Sequence, residues 1–203
     1  MLKVLPLDVV NLGHIPEPCF RCLFWESGER VCRPYLEDER QILKEEWFST
    51  TLLKWGDCGK ILYDGHRPMG FAQYAPPDYF PQLGFLGAGP ASRDAVVLAC
   101  LSVADIPGKV RLARFLLQAI EKDLFRRGHS AIETFAVRRP EGGCGVSVDF
   151  CLDNGFRVLR ENPDSPLLRM ELEATAGLAV DLASVLEQFK VPVARVGLVG
   201  SPA

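Results

Sequence analysis

Two cysteines, Cys19 and Cys22, are separated by two residues, the spacing of half a zinc site, and Cys32, Cys58, His14 and His66 could offer the remaining ligands. No second closely spaced pair exists, so reduced thiols beneath a helical cap are the competing reading. A redox Cys-x-x-Cys would need a strand-to-helix setting that these residues lack. Glu133 alternates with Ala131, Phe135 and Val137 and so projects from an otherwise apolar strand face. Desolvation there raises a carboxyl pKa toward the range of a general base, and pairing with a nearby arginine is the structural alternative. Asp105, a loop acid, is a weaker base candidate. Cys100, between Ala99 and Leu101 in a strand, reads as core. Gln73, polar within an apolar run, and Lys109, Arg111 and Arg114, clustered where a helix begins, complete the set.

The elements that must position these residues follow from periodicity. Met1 to Leu7 reads as a strand, and Asn11 to Pro18 as a loop punctuated by Gly13, Pro16 and Pro18. Ile42, Leu43, Trp47 and Phe48 recur at helical spacing from Glu37 to Leu53, which predicts an amphipathic helix ending before Gly56. Gly59–Tyr63 and Pro68–Ala75 flank the turn dipeptide Asp64-Gly65 and form a hairpin. Pro76 to Arg93 is a long ordered loop, a class often functional. Val96 to Val103 is apolar throughout, as a strand covered on both faces should be. A helix over Leu112 to Phe125, a strand over Ala131 to Val137, a glycine-rich turn at Glu141 to Gly145 and a short helix over Val146 to Asn154 come next. Phe156 to Arg160 and Leu167 to Leu172 are the last strands, and Leu182 to Phe189 predicts a helix in the tail. A strand, helix, strand order gives a right-handed crossover between parallel strands.

Hairpin, long loop, apolar strand, basic loop, long helix, strand, short helix and Gly-Phe strand, in that order, resemble the GNAT superfamily of N-acetyltransferases. Val103 to Leu117 aligns without gaps to its acyl-CoA signature, and Phe150-Cys151-Leu152-Asp153-Asn154-Gly155-Phe156 resembles its late aromatic-to-Gly-Phe motif. Cys19-x-x-Cys22 with Trp25-Glu26, then Gly70 to Pro77, looks like a bacterial subgroup of undefined substrate. The resemblance implies an α/β (α+β) fold: a mixed, mostly antiparallel sheet with a V-shaped cleft between two central parallel strands, flanked by helices. It implies acetyl-CoA as cosubstrate, held by Leu101, Ser102, Val103, Gly108, Lys109, Val110, Arg111, Leu112, Ala113 and Arg114. Unpaired amides at the helix start would face the pyrophosphate, and the Val103 amide would polarise the thioester. The family reads Gln or Arg, two residues, Gly, one residue, Gly or Ala, whereas Gly108-Lys109-Val110-Arg111-Leu112-Ala113 keeps only the final small residue. Arg111 therefore either crowds the phosphates or pairs with them, and Lys109, Arg111 and Arg114 either replace the lost contacts or are solvated helix-start cations. Cys151 stands where many members carry the tyrosine that protonates the leaving thiolate, and is either a proton donor or a buried thiol. Trp25, Glu26, Gln73 and Tyr74, with the loop from Pro76, are the expected acceptor-cleft residues.

Composition narrows the rest. Residues 1–173 form the acyltransferase-like domain and 174–203 a C-terminal helical extension or tail; no internal repeat is evident. A net charge of −3 gives no broad reason to expect nucleic acid or an anionic membrane as partner. Seven cysteines, an odd number, fit a reducing, cytoplasmic compartment better than a disulfide framework, and no apolar run reaches membrane-spanning length. The expected function is transfer of an acetyl group from acetyl-CoA to a small-molecule or protein amine by direct attack, with a homodimer compatible with it and no metal required. The alternative is a catalytically degenerate domain of the same fold serving as a CoA-binding, regulatory or protein-interaction module.

Overall fold

The computed structural model describes residues 1–17, 19–28, 37–138 and 145–173. Seven strands form one sheet: β1 (Leu2–Pro6), β2 (Gly59–Asp64), β3 (Arg67–Ala75), β4 (Ala95–Val103), β5 (Ala131–Phe135), β6 (Arg157–Arg160) and β7 (Leu167–Glu171). Their spatial order is β1-β2-β3-β4-β5-β7-β6. Every pairing is antiparallel except β4 with β5, which is parallel and bridged by α3 (Lys109–Arg126). The other helices are α1 (Phe24–Ser27), α2 (Glu37–Lys54) and α4 (Val148–Asp153). This is the mixed, mostly antiparallel sheet flanked by helices that the sequence implies.

Period-two alternation divides the core between the sheet's two faces. On one face Phe71, Val97 and Phe135 pack with Trp25, Phe48 and Phe80 from α1, α2 and the loop after β3. On the other, Val96, Leu98 and Ile132 pack under Leu112, Leu116, Ile120 and Leu124 of α3 and Cys151 of α4. Leu116, Leu117, Ile120 and Leu124 are each 0% exposed, and burying such a side chain stabilises the fold by roughly 1.5–3 kcal/mol. The uninterrupted apolar run of β4 follows from its being covered twice.

Three sequence expectations shift. α3 begins three residues before Leu112, since its first turn, from Lys109 to Arg111, is exposed and carries no apolar signal. Pro76 to Arg93 contains two 3-10 turns, Pro77–Tyr79 and Pro81–Phe85. In α2, Ile42 and Leu43 are 54% and 36% exposed, and the buried stripe is Lys44, Phe48 and Thr51. Cys32, the turn from Glu141 to Cys144 and the tail helix lie outside the described residues. No helix among the described residues is long and apolar enough to cross a membrane.

Candidate active site

β4 and β5 run together for three residue pairs, Ala95 with Ala131, Val96 with Ile132 and Val97 with Glu133, and then part. β5 stays with β7 through Phe135, while β4 follows β3 to Val103. At the fork, Thr134 Oγ1 donates to the Leu98 carbonyl at 2.8 Å, so a side chain satisfies the first β4 carbonyl past the paired segment. Beyond it β4 offers an edge to the wedge between the strands. Ala104 N–H donates to the Met69 carbonyl on the β3 side at 2.8 Å, and strand alternation turns the Val103 amide to the opposite edge, toward the wedge. Leu101 shares that orientation, and Ser102 is turned toward β3. Gly70 makes the close approach of β3 possible: a Cβ there would lie 2.8 Å from Val103 Cγ1 and 3.0 Å from the Ser102 carbonyl oxygen.

The loop after β4 delivers α3 to the mouth of this wedge. Gly108, at the N-cap, has φ +88°, a left-handed conformation that favours glycine. Two amides of the helix start are drawn to the loop itself, Lys109 N–H to the Ile106 carbonyl at 3.0 Å and Arg111 N–H to the Gly108 carbonyl at 2.9 Å. Lys109 Nζ lies 2.7 Å from Asp105 Oδ1, with side chains 58% and 87% exposed, and such a screened pair is easily exchanged for another partner. Arg114 Nε donates to Asn154 Oδ1 at 2.9 Å and ties α3 to α4. Arg111 is exposed on the first turn, whereas Leu112 and Ala113 are 3% and 7% exposed and face the core, so their side chains anchor the helix.

Glu133 is not a lone carboxylate on an apolar face. It is 0% exposed, Oε2 accepts from the Ser92 amide at 2.8 Å, and Oε1 pairs with Arg169 Nη1 at 3.1 Å. Arg169 is held in turn by Asp94 and Glu171. With both oxygens occupied and its backbone in the last closed pair of the fork, Glu133 stands in the ion-pair arrangement. Cys151 is 0% exposed within the α3-side core, and burial pushes its thiol up to about 12. The thiol thus lies among the side chains that seat α4 against α3 and the sheet.

The four expected acceptor residues separate. Trp25 is 3% exposed and packs edge-on to Phe80 in the core. Tyr74 points to the other face of the sheet, because neighbouring strand residues face opposite ways; it is 0% exposed, and its hydroxyl lies 3.3 Å from Asp123 Oδ2 of α3. Glu26 and Gln73 do meet, with Gln73 Nε2 donating to Glu26 Oε1 at 2.7 Å. Lys44, which sequence reasoning missed, completes the group: its Nζ donates to Glu26 Oε1, to Gln73 Oε1 at 3.0 Å and to the Cys22 carbonyl at 2.8 Å. Burial works to lower the Lys44 pKa, but the Glu26 carboxylate, together with Cys100 and Cys22, outweighs it and the net direction is up. The cluster thus places a buried Lys44–Glu26 ion pair one side chain away from β4, where Gln73 faces Cys100. The available signal was the lysine in register with Phe48 and Thr51 on α2. Beside this pair α1 and α2 enclose a cleft of about 440 Å³ that Glu26 lines. Among the described residues no group of three or more His, Cys, Asp or Glu is placed to hold a metal ion.

No protein-family model matches the chain, and no curated protein matches it. Solved structures do. The PaiA N-acetyltransferase of Thermoplasma acidophilum in complex with coenzyme A is 13% identical at a TM-score of 0.52, over 84% of this chain and 99% of that one. An acetyltransferase of the GNAT family from Staphylococcus aureus Mu50 is 12% identical at a TM-score of 0.56, over 85% and 100%. YncA of Salmonella typhimurium, solved with its cofactor acetyl-CoA, is 14% identical at a TM-score of 0.55, over 85% and 95%. Seven strands parting at one parallel pair, with a helix starting at the mouth of the gap, thus have the fold of the GNAT-family acetyltransferases.

Proposed function

We propose that the protein is an acyl-CoA-dependent N-acetyltransferase that moves an acetyl group from acetyl-CoA to an amine within a ternary complex. The observation that carries this reading is the wedge: β4 leaves β5 after Val97 and turns the Val103 amide toward the gap, six residues before α3 begins. The backbone edge of β4 suits an amide-bearing chain such as pantetheine, and solved structures of this fold hold coenzyme A or acetyl-CoA. The residues present fit the cosubstrate at its phosphates too, through Arg111 and an exchangeable Lys109 rather than through a glycine-lined cradle.

In the reaction the amine nitrogen attacks the thioester carbonyl carbon, and charge develops on its oxygen, where the Val103 N–H donates. The C–S bond then breaks, and coenzyme A leaves as thiolate. Once a neutral amine has attacked, the proton its nitrogen sheds equals the one the thiolate takes up, so water can carry it between them. The enclosed Cys151 is therefore not required as an acid, and we assign Glu133 to holding the fork rather than to taking protons.

Isothermal titration of the full chain with acetyl-CoA tests the reading. Saturable binding is expected within the roughly 1 μM to 1 mM range usual for enzyme substrates; none at ~1 mM would sink it. Val103→Pro removes the wedge-facing N–H without touching a β3 hydrogen bond, and turnover with a panel of amines should fall roughly 100-fold or more. Binding of acetyl-CoA with no turnover on any amine would leave the fold but remove the transferase.

A further inference from the structure

We infer that Thr134 is a positioning residue of the cosubstrate site: its hydroxyl takes the Leu98 carbonyl that the Phe135 amide would otherwise take, so the Phe135 N–H is left facing the wedge as a backbone donor to an amide carbonyl of an acyl-CoA's pantetheine arm. That the ligand is an acyl-CoA rests on the transferase reading above. The direction of the Phe135 amide follows from its neighbours. Ala136 N–H donates to the Pro166 carbonyl at 3.1 Å on the β7 side, and successive strand residues turn their amides to opposite edges, so Phe135 and Val137 turn theirs toward the β4 side. Val137 is closed off there: its N–H donates to the Val146 carbonyl at 2.8 Å, and its carbonyl accepts from Val148 N–H at 3.0 Å. The ladder with β4 closes the other end at Glu133. Among the described residues, Phe135 is what β5 leaves open to the wedge between these two closures.

Thr134 accounts for the point at which the ladder stops. In a parallel pair, a carbonyl that faces the neighbouring strand accepts from the residue one past its partner, so continuing the register beyond Val97 and Glu133 would send Phe135 N–H to the Leu98 carbonyl. The pairing ends at Val97 and Glu133 instead, and Thr134 Oγ1 donates to that carbonyl at 2.8 Å. Thr134 is 1% exposed and Phe135 2%, so the choice between the two donors is made inside the fold. A carbonyl already satisfied by a side chain gains little from further zipping, whereas an enclosed amide without an acceptor is costly. An extended ligand that carries an amide carbonyl removes that cost, and it then draws donors from both walls, the Val103 edge of β4 and Phe135 of β5. Valine has the shape of threonine without the hydroxyl, and in its place the Leu98 carbonyl would fall to the Phe135 amide.

Amide hydrogen exchange at Phe135 in the isotope-labelled full chain, read by NMR with the Glu133 amide of the closed ladder as internal reference, tests the fork. Without ligand, Phe135 in Thr134→Val should exchange about tenfold or more slowly than in the wild type, because the freed Leu98 carbonyl takes its proton; Thr134→Ser, which keeps the hydroxyl, should match the wild type. In calorimetry Thr134→Val should bind acetyl-CoA about tenfold more weakly, the worth of one hydrogen bond, with no change toward adenosine 3′,5′-bisphosphate, which has phosphates but no pantetheine arm. A merely structural role for Thr134 would lower the urea midpoint and move neither readout. In the wild type, saturation with acetyl-CoA should slow Phe135 exchange and the bisphosphate should not, which decides the matter even if Thr134→Val fails to fold. Equal Phe135 exchange in wild type and folded Thr134→Val, or wild-type exchange unmoved by bound acetyl-CoA, would overturn the inference. A wild type that binds no acetyl-CoA removes the transferase reading and this ligand together, whereas acetyl-CoA bound equally by wild type and Thr134→Val removes this inference alone.

Discussion

Replacing Lys44 by methionine keeps the length of the side chain and removes its charge, and the structure sets what that should cost. Lys44 is 1% exposed and serves three acceptors, the Glu26 carboxylate, Gln73 Oε1 and the Cys22 carbonyl. Without it the Glu26 carboxylate keeps Gln73 Nε2 as its only donor among the described residues, at 2.7 Å, inside the α2-side core. Removing one partner of a buried ion pair costs about 3–5 kcal/mol, mostly because a charge is left uncompensated. For a domain of this size each kcal/mol moves Tm by roughly 2–4 °C, so the variant should melt about 6–20 °C lower. Adding Glu26→Gln removes the stranded charge, and the double variant should regain most of the loss, with a coupling energy of about 2–3 kcal/mol in the cycle. Urea unfolding followed by tryptophan fluorescence, with far-UV circular dichroism to check that the transition is two-state, measures all four corners. A Lys44→Met loss below ~1 kcal/mol, or a double variant equal to the sum of the singles, would show that the ion pair is not what holds α1 and α2 to β3.

Three further outcomes are expected. Arg111→Ala should weaken acetyl-CoA binding about tenfold, the worth of a charge-assisted hydrogen bond, and flatten its salt dependence in titration calorimetry. Glu133→Gln should lower stability in urea unfolding by roughly 1–2 kcal/mol by weakening its charge-assisted bonds to Arg169 and the Ser92 amide, since Arg169 keeps Asp94 and Glu171, while leaving the pH profile of turnover unchanged; a shifted profile would return it to the role of base. Burial raises the Glu121 carboxyl from 4.5 to about 7, so its folded form prefers the proton and stability falls as pH rises between those values. The full displacement is worth at most ~3 kcal/mol, reduced to roughly 1–2 by partial exposure, and Glu121→Gln should remove that fall from the pH dependence of unfolding.

The sheet was legible in the sequence because its strands carry their own signals. β4 reads as an apolar run since both faces are covered, and the β2–β3 hairpin reads from Asp64-Gly65. The ungapped loop between β4 and α3 also located the mouth of the wedge. Side-chain roles were harder, because they depend on partners far along the chain. Glu133 read from Ala131 to Val137 either as a base or as the partner of an arginine, and only the fold shows that arginine to be Arg169, 36 residues away on the adjoining β7. Gln73 and Tyr74 read as one pair until the sheet placed them on opposite faces. Lys44 was hidden for a different reason: Ile42 and Leu43 drew the apparent apolar stripe of α2 one position too early, and only packing against Phe71 and Glu26 shows which side of the helix turns inward.

Charge is distributed unevenly over the described surface. At the start of α3, Lys109, Arg111 and Arg114 gather positive charge beside the wedge, while between α1 and α2 the cleft presents Glu26 and Glu46. A net charge of −3 over the whole chain conceals this separation, which acts only at the range of a Debye length. Under the transferase reading an anionic cosubstrate would thus meet an attractive local field at the wedge despite the negative charge of the chain as a whole.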